Sequence, residues 1–145
     1  ITLGAGDTAS IFTGLSPLAG NFRVNECFGW LNNLYNFNPT ISTNCPRFDL
    51  ADLYGLDGQC QELILNSSYC RAPADDVLNN YSANCRAWVS QNMNYNACVI
   101  KNRNNKNFYK EWRIYTGNGN PIADPLHDRI ELRDGAGLLV DKYEY

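Results

Sequence analysis

The chain closes with HDRIELRDGAGLLVDKYEY, residues 127–145, two strand-like runs around a Gly-rich turn. RIELRD alternates, so Ile130 and Leu132 face one way and Glu131 and Arg133 the other. Asp134-Gly135 opens a tight turn, and Gly137 is free to take a positive φ. In the returning strand Leu139, Tyr143 and Tyr145 share a face with Asp141, while Val140 shares one with Lys142 and Glu144. Neither face of that strand is cleanly apolar. A lone hairpin is marginal in water, so the hairpin requires other strands upstream.

Working back, FYKEWRIYT at 108–116 alternates. Phe108, Trp112 and Ile114 lie on one face with Lys110, and Tyr109, Glu111, Arg113 and Tyr115 lie on the other. Residues 1–25 hold short extended pieces, ITL, TASIFTG and NFRVN, parted by GAGD and SPLAG. The texture between these sheet-like ends is different. In ECFGWLNNLYNF, Cys27, Trp30, Leu31, Leu34 and Tyr35 recur at helical spacing, with Asn25 as a candidate N-cap. Asp57 is placed to cap a helix over 58–67, Pro73 opens a short helical piece ending at Asn79, and Ser82 is placed to cap a helix over 83–93. The expected organisation is an α+β chain: a β domain from 1–25 plus 108–145, interrupted by a helical insertion over 26–107. The hairpin is expected to pair with the strands at 1–25 and 108–116.

Cys27, Cys45, Cys60, Cys70, Cys85 and Cys98 all fall within the insertion. An even count at wide spacings suits a disulfide framework, and no C-x-x-C pair suggests zinc. Six cysteines permit 15 connectivities. Local chemistry favours neighbours in order, 27–45, 60–70 and 85–98, each stapling a helix to the strand or loop after it. A bridge of this loop size contributes about 3 kcal/mol if strain is small. Disulfides imply an oxidising compartment, hence an exported protein at the cell surface or outside the cell. The first residue is Ile1, which predicts a processed chain or a piece of a longer one. No apolar run approaches the length of a membrane span.

The pieces ITLGAGDTASIFTGLSP, EWRIYTG and HDRIELRDGAGLLVDKYEY resemble the lamin tail domain family. The signature is an apolar strand, then D-x-x-G, then a Val-Asp strand rich in aromatics. Here those positions are Ile130, Leu132, Asp134, Gly137, Val140, Asp141 and Tyr143. The Cys-rich middle looks like the insertion of bacterial exported members. The resemblance implies an immunoglobulin-like β-sandwich with a structural, adhesive or interaction role. It implies no catalytic residues and no cofactor. A sandwich of this kind has about seven strands or more, and fewer are legible here. The resemblance therefore implies that the missing strands were removed before Ile1 or come from another chain.

The charge balance, −3 with a pI near 5.0, argues against a nucleic-acid partner. KNRNNK at 101–106 reads as a solvated loop. Two sequons, at Asn66 and Asn80, are candidate glycosylation sites. Tyr109, Tyr115, Tyr143 and Tyr145 are candidate ligand-facing aromatics, whereas Trp30, Trp88 and Trp112 lie on faces read as apolar. His127-Asp128 is the only pairing that invites a hydrolase, and it reads better as the start of a strand with Asp128 accepting backbone bonds. No metal site is expected from Asp49, Asp52 and Asp57, or from Asp75 and Asp76, because EF-hand spacing is lacking. The expected function is a non-enzymatic structural or interaction domain with a protein partner or self-assembly by strand addition. A carbohydrate-binding module with a glycan ligand is the alternative, and a small secreted hydrolase using His127 is the second.

Overall fold

The computed structural model describes residues 3–124 and 126–144. The chain is α+β, with small sheets, short helices and three disulfides. In order come β1 (Ala9–Phe12), β2 (Phe22–Asn25), a 3-10 helix (Phe28–Asn33), α1 (Gly58–Leu65), α2 (Asp75–Leu78) and α3 (Ala83–Asn92). There follow α4 (Tyr95–Asn102), β3 (Tyr109–Tyr115), β4 (Arg129–Arg133) and β5 (Leu139–Glu144). Of the strand expected over 1–3, Ile1 and Thr2 lie outside the described residues, and Leu3 belongs to no strand.

β3 is the centre of a three-stranded sheet, parallel to β1 and antiparallel to β2. Ser10 and Phe22 both sit opposite Arg113, and Phe12 sits opposite Tyr115, so these residues share a face. That face packs on the helical segment. The Phe22 and Phe28 rings stack 5.2 Å apart, and Val24, Phe28, Phe37 and Ile41 form a buried cluster beneath. Alternation alone puts Trp112 and Ile114 on the core face of β3. The structure leaves these two half-buried and turns Arg113 and Tyr115 toward the core instead. Burial of Arg113 is tolerable because each of its three guanidinium nitrogens has a partner. Nε donates to Glu111 Oε1 at 3.0 Å, and the two Nη atoms donate to the carbonyls of Pro39 and Thr40.

The helical segment has its own core. Leu53, Leu56, Cys60, Ile64, Cys85, Val89 and Met93 are buried together, with Trp30 and Trp88 packed at the margin. Two of the three expected caps are in place. Asp57 accepts from Cys60 N at 2.9 Å to start α1, and Ser82 accepts from Cys85 N at 3.2 Å to start α3. Asp57 Oδ2 also accepts the Ser82 hydroxyl at 2.9 Å, which ties the two helix starts together.

Three expectations need correction. The expected helix after Asn25 is a 3-10 helix, so its apolar spacing is three and not 3.6. Phe28 becomes the buried anchor, while Leu34 and Tyr35 are exposed. Asn25 ends β2, and its Oδ1 accepts from Cys27 N rather than capping an α-helix. Next, the bridges are Cys27–Cys98, Cys45–Cys70 and Cys60–Cys85, not 27–45, 60–70 and 85–98. The inner faces of α1 and α3 pack on each other, so Cys60 and Cys85 meet across the core. α4, unexpected from the sequence, carries Cys98 back to Cys27 beside the sheet. Finally, the closing hairpin joins no other strand among the described residues. β3 is already flanked on both sides, so it has no edge to offer β4 or β5.

Candidate functional site

The turn of the β4–β5 hairpin forms as the sequence dictates. Asp134 Oδ1 accepts from Ala136 N and Leu138 N, both at 2.9 Å, and Gly137 has φ +82°. Register then sorts the side chains. Arg129 lies opposite Glu144 and Glu131 opposite Lys142, making one face charged. Glu131 sits at its centre, 2.8 Å from Arg129 Nη2 and 2.6 Å from Arg133 Nη2. The hydrogen bond from Arg133 holds the Glu131 carboxyl below the ordinary range. Ile130 lies opposite Tyr143 and Leu132 opposite Asp141, making the other face apolar with one acid. Ile130, Leu132 and Tyr143 are 48%, 56% and 64% exposed. Leu139 and Val140, beside the irregularity in the ladder, are exposed as well. The ribbon is thus amphipathic, and its apolar side presents Ile130 and Leu132 to solvent.

A second feature is a cleft of about 760 Å³ between the strands and the loop at 40–44. β3 contributes Tyr109, Glu111 and Arg113, β2 contributes Val24 and Asn25, and the turn before β1 contributes Asp7 and Thr8. The charges around it are paired within the chain. Arg23 reaches Asp7 at 2.6 Å, Lys110 reaches Glu26 at 3.5 Å, and Arg113 holds Glu111. Glu111 Oε2 also accepts from the Ser10 hydroxyl at 2.8 Å. Buried Asn25 donates to the Tyr95 hydroxyl at 2.9 Å.

The sequence-predicted residues scatter. Tyr109 lines the cleft with its ring half-exposed, under the Arg23 guanidinium at 5.2 Å. Tyr115 is turned inward instead. Its ring packs on Phe12 and Phe22, and its buried hydroxyl has no hydrogen-bond partner among the described residues. Tyr143 belongs to the apolar face of the hairpin, and Tyr145 lies outside the described residues. Asn66 and Asn80 are both exposed, at the ends of α1 and α2. His127 is exposed in the loop before β4. Asp128 accepts from Asp124 N at 3.0 Å and Arg129 N at 2.7 Å, and these bonds lower its pKa. Asp49 and Asp52 cap each other's backbone N–H groups, and Asp57 is committed to its helix. Among the described residues no group of three metal-ligating side chains converges. The part of the 40–44 loop in a site is not legible from sequence, because no local pattern places it beside β3.

The chain matches no protein-family model, no curated protein and no solved structure.

Proposed function

We propose that this chain is a non-enzymatic interaction domain of an exported protein, and that it assembles by strand addition at the β4–β5 hairpin. The observation that carries this reading is the exposure of Ile130 and Leu132 on one face of the hairpin. A two-stranded ribbon is marginal alone, and its unpaired edges are templates for another strand. The occupant is an extended apolar segment of a protein, with a basic residue set against Asp141, the one acid on that face. The three intramolecular disulfides are consistent with export.

The resemblance to the lamin tail domain falls on the same residues and supports a finer reading. In it, the sheet β1-β3-β2 and a second sheet containing the hairpin are the layers of an immunoglobulin-like sandwich, completed by the added strand. The test is light scattering on the purified chain with Leu132→Lys and Tyr143→Lys. Loss of assembly with an unchanged circular dichroism spectrum supports the reading. Assembly that survives both charges overturns it.

A further inference from the structure

The cleft against the 40–44 loop lies on a different part of the chain from the hairpin, and strand addition makes no use of it. Its volume, about 760 Å³, is that of a small-molecule site. Its chemistry depends on which lining groups are already taken. The cations are engaged: Arg113 by Glu111 and two carbonyls, Lys110 by Glu26, Arg23 by Asp7. Among the described residues here, a phosphate or sulfate would find no unpaired cation to receive it. Among the described residues, the lining groups left without a side-chain partner are neutral. They include the hydroxyls of Thr8, Thr40, Ser42 and Tyr109 and the side-chain amide of Asn44.

Between these donors lie carboxylates with capacity to spare. Each Glu111 oxygen accepts one bond, from Arg113 and from Ser10, and each has a second lone pair. Tyr109 is 52% exposed, so part of it is open to solvent. Its ring packs against the Arg23 guanidinium, 5.2 Å from the ring centroid, and against the Phe108 ring, nearly perpendicular with centroids 5.0 Å apart. A ring held this way loses little freedom when a flat ligand face stacks on it. Neutral hydrogen-bonding groups, carboxylate acceptors and a pre-set aromatic face together match a molecule with many hydroxyls and an apolar C–H face.

We propose that this cleft binds a neutral saccharide, stacked on Tyr109 and held through Thr8, Asn44 and Glu111. The test is a ¹⁵N–¹H NMR titration of the oxidised chain at millimolar probe concentration. The neutral probes are maltohexaose, cellohexaose and chitohexaose, and the charged probe is a heparin-derived hexasaccharide. The expected result is that a neutral probe shifts the amides of Thr8, Asn44 and Tyr109. Tyr109→Ala then weakens that binding about tenfold. Asn44→Ala, in an exposed loop where folding is not at stake, weakens it too, and Leu132→Lys on the hairpin leaves it unchanged. The proposal is overturned if no neutral probe shifts those amides, if the shifts map elsewhere, or if the heparin fragment displaces the neutral sugar.

Discussion

Single residues fix much of this molecule, and each names a consequence. Asp57 and Ser82 are legible because a cap is read by residues three apart, whereas Asn25, read the same way, ends a strand instead. Ser82→Ala should cost about 1 kcal/mol in denaturant unfolding, since it removes the acceptor for Cys85 N. Asp57 carries a pH dependence. Its bonds from Cys60 N and the Ser82 hydroxyl lower its folded-state pKa below the ordinary carboxylate value. The stability it contributes is therefore fully present above that ordinary value and is lost as pH falls through the folded one. Thermal midpoints of wild type and Asp57→Asn should differ at neutral pH and converge in acid. Gly29 was not legible as special. Yet a Cβ there would collide with Sγ of Cys70 and sit 3.0 Å from the Thr43 Cα. Gly29→Ala should cost about 1–3 kcal/mol, checked by the same unfolding assay. Arg113 was misplaced by alternation alone, because its three acceptors come from residues no local pattern links. Arg113→Met should cost about 2 kcal/mol by orphaning the carbonyls of Pro39 and Thr40.

At the scale of elements, local features were readable and topological ones were not. The hairpin, β3 and the starts of α1 and α3 arise from alternation, turn residues and caps. α4 was missed because only Met93 and Asn94 separate it from α3. Its signal was Asn94, whose Oδ1 accepts from Ala97 N at 2.9 Å. Disulfide pairing was lost for the same reason. Neighbour-in-order bridges assume that each helix folds back alone, whereas α1 pairs with α3 and α4 with the segment after β2. The bridges span 71, 25 and 25 residues. Loop entropy then ranks them, with Cys27–Cys98 contributing about 4 kcal/mol and each of the others about 3.5. Replacing both cysteines of the long bridge with Ala should lower stability most, and peptide mapping of the unreduced chain should return these three pairs.

For the whole molecule, the sheet β1-β3-β2 and the helical segment share the cluster of Val24, Phe28, Phe37 and Ile41, with the long disulfide beside it. Among the described residues the hairpin shares none of the buried clusters, and Ile130 and Leu132 on one face of it are exposed. A face of Ile and Leu in water is an unfavourable arrangement that another chain would relieve. Assembly at that face can be tested without knowing the partner, by the mass of the oxidised chain under native conditions compared with its mass after denaturation. Strand addition predicts a native multimer, or a bound peptide lost on denaturation, both abolished by Leu132→Lys. A bare monomer under native conditions would contradict it.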